Sequence, residues 1–337
     1  MKIAVIGATG LIGQAFLKLL VQSNRTHAND IFCVASCQSA GKTISCGMHQ
    51  FTLESLEAFD FTKVEVCFFA VNNQLAKQYV PIARQSCILV IDNSSAFRQQ
   101  QDVPLIIPEV NFNHWHQWGK PNLIANPNCT TIGLIMAIAP IHKHVGIERM
   151  DVATYQAISG AGAKTLESFN HGLLNTGPKE PSMSKVLDAV PVIDSLLASD
   201  YTKEEIKLMQ ESQKILDHKC LHVSATAVRV PVHTGHGAAV TLKLNESVNI
   251  NLIHDLLCQA ESVMVYQEPA ITPRLHAHGS CGVHVARIRR DLYSPLHVHL
   301  WVVSDNILRG GAYNAFKLYQ KALDEIGVAE KDLSELS

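Results

Sequence analysis

The apolar run Ile3–Ala4–Val5–Ile6 passes directly into Gly7–Ala8–Thr9–Gly10–Leu11–Ile12–Gly13, and a helical pattern of apolar residues follows at Ala15, Phe16, Leu19 and Leu20. A strand, a glycine turn and a helix in that order narrow the possible folds sharply. Glycines let the backbone turn tightly and approach a ligand, and the helix N-terminus presents unpaired N–H groups to a pyrophosphate. The spacing is GxxGxxG rather than GxGxxG, but the physical logic is the same. A glycine motif alone is a weak signal; strand before and helix behind make this one a dinucleotide-binding turn. Further β-type runs at Ile31–Ala35, Val64–Val71 and Cys87–Ile91, with a helical stretch over Leu75–Ala83, continue the alternation. That pattern predicts an α/β protein with a Rossmann-type, doubly wound parallel sheet.

Ligands of such sheets bind beyond the carboxyl ends of the strands. The run Ile31–Ala35 ends in Ser36–Cys37–Gln38–Ser39–Ala40–Gly41–Lys42, with no acidic residue to grip a ribose 2′-hydroxyl. Hydroxyls, a glutamine and a lysine suit a 2′-phosphate, so NADP is the expected cofactor; the alternative is a polar loop with no cofactor role. Asp92–Asn93–Ser94–Ser95–Ala96–Phe97–Arg98 follows the run at 87–91, which makes Arg98 either a solvated charge or an anion clamp.

The chain has 337 residues, enough for about two domains. With 17% charged residues and a net charge of −2, it gives no electrostatic case for nucleic acid or an anionic membrane. No apolar run is long enough for a membrane span, and the N-terminus does not read as a secretory signal. Nine cysteines without a CxxC pair read as free thiols, and the expected location is the cytoplasm. The pairs His276/His278, His297/His299 and His233/His236 lack the grouping of a zinc site. Where His-x-His alternates, both rings fall on one face of a strand, solvated or core. No metal is expected.

The second informative stretch is Ala125–Asn126–Pro127–Asn128–Cys129–Thr130–Thr131, followed by an apolar run from Ile132 to Ala139. It predicts a buried helix with Cys129 at or just before its N-terminus, where free N–H groups and the helix dipole favour a thiolate. The plainer alternative is a small buried thiol. A strand over Asp151–Ala157 leads through Gln156 into the turn Ile158–Ser159–Gly160–Ala161–Gly162 and a helix over Lys164–Leu173. Gln156 either orients a substrate or pairs with backbone. Asn175–Ser184, with two prolines and a glycine, reads as a surface excursion. Thr202 caps a helix whose first turn holds Glu204 and Glu205, ahead of Lys207; taken alone, its charges are a solvated face. Arg229, in the otherwise uncharged strand Val223–Val232, needs a partner or a ligand. His236 lies between two glycines, which allow close approach and say nothing of catalysis.

Taken together, GATGLIG, SAGK, DNSSAFR, DVPLIIPEVN, NPNCTT, TYQAISGAG, RVPVHTGH and WVVSDNILRGGAYNAF make a chain that resembles the aspartate-β-semialdehyde dehydrogenase family over nearly its whole length. The resemblance implies reductive dephosphorylation of β-aspartyl phosphate by NADPH, on the route to lysine, threonine and methionine. It makes Cys129 the acyl-thioester nucleophile and His236 the general acid/base, with Gln156 positioning the substrate. Arg229 would bind the substrate α-carboxylate, Glu205 the α-amino group, and Arg98 with Lys207 the phosphate. Gly7, Thr9, Gly10, Leu11, Ile12, Gly13, Ser36, Gln38, Ser39, Ser159, Gly160 and Asn306 fall at cofactor-contacting positions.

Three stretches depart from the family pattern. Gln38 stands where relatives that strongly prefer NADP often carry arginine. Val71–Asn72–Asn73 replaces a smaller turn, and Asn170–Val190 is shorter than in many relatives. A branch of the family lacks the cysteine, whereas this chain keeps Cys129, Gln156, Arg229 and His236. The expected organisation is an NADP-binding domain of residues 1–128 plus 312–337, completed by a helix near Ala312–Ile326. Residues 129–311 would form an α+β catalytic and dimerisation domain of a homodimer. The rivals are a sister acyl-phosphate reductase of the N-acetyl-glutamyl-phosphate type and a nucleotide-binding regulatory protein without turnover.

Overall fold

Ile3–Ile6 forms β1, from which a seven-stranded sheet grows on both sides. The computed structural model describes residues 1–23, 25–174 and 187–335. The chain makes two compact units, Met1–Pro127 with Gly311–Ser337, and Asn128–Gly310. In the first unit, β2 (Ile31–Ala35), β3 (Thr43–Cys46) and β4 (His49–Ser55) lie on one side of β1. On the other side lie β5 (Val66–Phe69), β6 (Leu89–Asp92) and β7 (Leu123–Ala125). The order is β3-β4-β2-β1-β5-β6-β7, parallel throughout except for the antiparallel pair β3 and β4. Every residue of β1, β5 and β6 is buried, which is why these strands read as continuous apolar runs rather than as alternation.

β1 pairs with β2 on one edge and β5 on the other, so the strand order reverses at its carboxyl end, where the glycine turn sits. Helix α1 (Leu11–Ser23) begins inside that turn, and α2 (Asn73–Ala83) connects β5 to β6. The unusual Asn72–Asn73 pair has a local task. Asn72 caps α2 through the Leu75 N–H, and Asn73 accepts from the Ser95 N–H at 2.9 Å.

The second unit holds a mixed six-stranded sheet. Its strands are β8 (Ile147–Gln156), β9 (His222–Arg229), β10 (His236–Leu244), β11 (Val263–Val265), β12 (Val283–Arg290) and β13 (His297–Ser304). The order is β11-β12-β13-β10-β8-β9, with β10 antiparallel to both neighbours. Helix α3 (Cys129–Val145) packs across β8, β10, β12 and β13. The unit also contains α4 (Ala163–Leu174), α5 (Lys203–Ile215) and α6 (Ile250–Cys258). Helix α7 (Tyr313–Glu335) then belongs to the first unit. There Ala315, Phe316, Leu318, Tyr319 and Ala322 join a core with Phe16, Leu17, Leu20 and Phe68.

Several boundaries move from their expected places. β8 starts at Ile147 and ends at Gln156, leaving Ala157 to open the next turn. β9 stops at Arg229 because Pro231 has no N–H for a ladder. β6 takes in Asp92, which accepts from the Ser94 N–H and hydroxyl. His276 lies in a helical turn, Pro273–Ala277, with His278 at its end, so the strand-face reading fails for that pair; Pro273 starts the turn under a Thr272 cap. His297 and His299 do lie on β13. Asn175–Ser184, and with it much of Asn170–Val190, lies outside the described residues. Among the described residues, no helix is long and apolar enough to cross a membrane, and no three His, Cys, Asp or Glu side chains gather as metal ligands.

Candidate active site

Asn128 is the N-cap of α3, and its Oδ1 accepts from the N–H groups of Thr130 (2.9 Å) and Thr131 (3.4 Å). Cys129 is therefore the first residue of a 17-residue helix, at its positive end, the position its sequence predicted. The Gly310 backbone packs so closely on Cys129 that a Cβ there would lie 2.8 Å from the cysteine Cβ. The sulfur lies 3.4 Å from His236 Nε2.

His236 opens β10 and is 3% exposed. Its Nδ1 accepts the Ala157 N–H at 3.0 Å. A backbone N–H can only donate, so Nδ1 carries a lone pair and the proton of the neutral ring is on Nε2, facing the cysteine sulfur. Burial, aided by the Arg229 guanidinium, pushes the imidazolium down to about 3, so the ring is neutral at ordinary pH. Arg229 closes this side of the site. Its Nη1 donates to the Ala157 carbonyl at 2.6 Å, which supplies the partner that its place in an uncharged strand demanded. Burial pulls the guanidinium below its ordinary value, opposed by the charges of Cys129 and Glu204.

Helix α5 supplies the acidic side. Thr202 and Glu205 form a reciprocal capping box. Thr202 Oγ1 accepts the Glu205 N–H, and Glu205 Oε2 accepts the Thr202 N–H at 2.7 Å. Glu205 Oε1 accepts the Ala227 N–H at 3.0 Å. Both carboxylate oxygens of Glu205 are therefore engaged by backbone N–H groups. Its neighbour faces the site. Glu204 Oε1 accepts from Asn128 Nδ2 (2.9 Å) and Gln156 Nε2 (3.3 Å), and Glu204 Oε2 accepts from Lys207 Nζ (3.1 Å). The capping-box spacing, threonine then glutamate three residues on, was the signal that could have separated the two glutamates.

Lys207 also donates to Asp194 Oδ2 at 3.0 Å. Burial lowers its affinity for a proton, but Glu204 and Asp194 outweigh it and hold the ammonium above its ordinary range. Gln156, 1% exposed, donates to Thr154 and Glu204 rather than to backbone. Ser159 and Asn306 are bonded to each other at 3.0 Å, and Asn306 Oδ1 accepts the Gly235 N–H at 2.8 Å. A Cβ on Gly160 would lie 2.8 Å from Arg229 Nη1. Thus Cys129, His236, Gln156, Arg229, Lys207, Ser159, Gly160 and Asn306 all lie in the second unit, together with Glu204, Asn128 and Glu211, which sequence reasoning missed.

The first unit carries the rest. Gly7 has φ +87°, and a Cβ there would strike the Ala70 carbonyl; a Cβ on Gly13 would strike the Gly7 carbonyl. The backbone of the turn is thus packed where only glycine fits. Thr9, Gly10, Leu11 and Ile12 lie in this turn; Ser36, Gln38 and Ser39 follow β2. Buried Arg98 donates from Nη2 to the Asn93 carbonyl at 2.9 Å.

Comparison with known proteins bears on both units. Residues 2–118 match the model "Semialdehyde dehydrogenase, NAD binding domain", and residues 138–309 match "Semialdehyde dehydrogenase, dimerisation domain". Aspartate-semialdehyde dehydrogenase 2 of Vibrio cholerae is 35% identical over 94% of this chain and 96% of its own. The chain belongs to the aspartate-semialdehyde dehydrogenase family. The Bacillus subtilis member is also 35% identical, over 94% of this chain and 96% of its own. A crystal structure of the Vibrio cholerae enzyme II complexed with ASA superposes with a TM-score of 0.91 at 34% identity, covering 96% of this chain and 98% of that one. The Candida albicans enzyme, solved with NADP, gives a TM-score of 0.74 at 25% identity, with coverage of 96% and 98%. As a family member, the protein is an oxidoreductase of amino-acid biosynthesis with a Rossmann-type domain for a nicotinamide cofactor.

Proposed function

We propose that the protein catalyses the NADPH-dependent reductive dephosphorylation of L-4-aspartyl phosphate to L-aspartate 4-semialdehyde through a thioester on Cys129. The observation that carries this reading is the 3.4 Å approach of His236 Nε2 to Cys129 Sγ at the first residue of α3. The helix end and the Nε2–H donor both stabilise negative charge on sulfur. The thiolate attacks the acyl carbon, the carbon–oxygen bond to phosphate breaks, and inorganic phosphate leaves a thioester behind. A bound reduced nicotinamide would supply the hydride that converts the thioester carbon to the aldehyde level. Expelling the semialdehyde then returns the sulfur to its thiolate, again beside Nε2–H.

His236 therefore acts on the donor side of the acid/base role expected of it. Taking the thiol proton would require the other tautomer, which would set Nδ1–H against the Ala157 N–H. Arg229 is the partner for the substrate α-carboxylate. The role expected of Glu205 passes to Glu204, whose carboxylate suits an α-ammonium group; its bonds to Gln156 and Lys207 set these two beside it. Lys207 takes the phosphate, displacing Asp194. The roles expected of Arg98 and of the cofactor-contacting residues remain part of this proposal, as does NADP over NAD.

The proposal includes a homodimer. Tyr155, 39% exposed, stands edge-on to Trp301 at 5.6 Å on the sheet face of the unit that matches the dimerisation model. The deciding experiment is the reverse reaction: aspartate semialdehyde, phosphate and NADP⁺, with NAD⁺ in parallel. Phosphate-dependent cofactor reduction is expected. Turnover of N-acetyl-glutamate semialdehyde instead would overturn the substrate assignment.

A further inference from the structure

Two helices meet at the nucleophile, and their N-termini are finished differently. At α5 the cap is local: Thr202 caps the helix and Glu205, its third residue, accepts the N–H of Thr202. At α3 the cap residue is Asn128, and the equivalent third position is Thr131, which has no carboxylate to reach back. The missing half comes from elsewhere. Glu211 Oε2 accepts the Asn128 N–H at 2.7 Å across 83 positions of sequence. Glu211 is 1% exposed and lies seven residues, two helical turns, after Glu204, so both carboxylates project from one face of α5. Glu204 holds the Asn128 side chain and Glu211 its backbone.

We propose that Glu211 is a positioning residue for the nucleophile: it completes the α3 cap from another helix and so fixes the orientation of Cys129 at the helix start. The proposal rests on the reading of Cys129 as nucleophile. The arrangement has a chemical reason. A glutamate at position 131 could cap the helix locally, but it would stand in the same first turn as the thiolate. Supplied from α5, the acceptor reaches the backbone behind Cys129 while the first turn keeps neutral hydroxyl side chains. Asn128 then has both backbone and side chain tied, leaving it no freedom to rotate and carry Cys129 with it.

The test compares wild type, Glu211→Gln and Glu211→Leu as full-length enzymes, each checked for folding by thermal melting. Glutamine can still accept the Asn128 N–H; leucine cannot. Glu211→Leu is expected to lose kcat about 100-fold, with the KM values changed far less, as for a misaimed reacting group. Glu211→Gln should recover kcat to within about fivefold of wild type. Alkylation of Cys129 by iodoacetamide, followed by peptide mass spectrometry because other thiols are present, supplies a readout that needs no turnover. With a nearby negative charge gone, its pH midpoint in Glu211→Gln should fall by roughly 0.5–1 unit.

Equal damage from both variants, or a leucine variant that melts earlier yet turns over normally per folded molecule, would overturn the proposal. So would a glutamine variant whose alkylation profile superimposes on wild type, and that arm stands even if the leucine variant does not fold. A wild type inactive on aspartate semialdehyde, with the alkylation shift present, would fault the reaction and uphold the role of Glu211.

Discussion

The two sheets of this protein prepare their chemistry in opposite ways. In the seven-stranded sheet, β1, β5 and β6 are buried at every residue, and the turn that follows β1 offers backbone. In the six-stranded sheet, burial alternates along β8 and β13, and strand ends and helix ends deliver side chains that hold one another in place. A backbone site depends on what is missing, the Cβ atoms of Gly7 and Gly13. A side-chain site depends on each carboxylate and amide being engaged in turn. The first should fail by losing its ligand, the second by losing its rate.

Substitutions can break that contrast. Cys129→Ser should lower the phosphate-dependent reduction rate by at least about 10⁴-fold, while cofactor affinity, measured by fluorescence titration, stays near wild type. A serine variant with most of its rate would sink the thioester mechanism. Next come the adjacent glutamates, which test whether the network rather than the mere presence of acid matters. Glu204→Gln should cut kcat/KM by roughly 10–100-fold through misplacement of Gln156 and Lys207. Glu205→Ala should leave the kinetics of the folded enzyme nearly intact and lower stability by about 2 kcal/mol, since two buried N–H groups lose their acceptor. Urea titration beside steady-state kinetics separates the pair; the reverse pattern would restore the substrate role to Glu205.

On the other sheet, Gly13→Ala should weaken cofactor binding by at least about tenfold, or 1.4 kcal/mol, with Cys129 alkylation unaffected. A further effect is an acid one. The His236 imidazolium is pushed from 6.5 down to about 3 by burial, so the unfolded chain binds a proton that the folded chain refuses. Stability is full above about pH 6.5 and falls as the pH drops towards 3, by up to about 1.4 kcal/mol per unit from this group. In a His236→Gln variant, urea midpoints at pH 7.5 and 5.0 should lie closer together than in wild type.

What could be read in the sequence was whatever is local. β1, its glycine turn and α1 are contiguous, and so are Asn128, Cys129 and the apolar run that makes α3. Thr202 announced the start of α5. The division between Glu204 and Glu205 was also local in principle, since the capping box claims the third residue of the helix, but adjacent identical side chains hide it. The rest was not local. The tautomer of His236 is set by the N–H of Ala157, 79 positions away. Glu211 reads as one more charge on a solvated helix until the fold brings it to Asn128. Arg229 demanded a partner, yet nothing in its strand could name the Ala157 carbonyl.

The chain leaves the first unit after Pro127 and regains it only at Gly311. Synthesis runs from one end, so the second unit has all its residues while the first still lacks α7. Until Phe316 and Tyr319 emerge, Phe16, Leu20 and the buried strand faces beside them lack part of their cover. All residues of the second unit, Cys129 among them, are thus made before the first unit is complete. A nascent chain halted short of Tyr313 should expose apolar surface in the unit made first and be dependent on chaperones there.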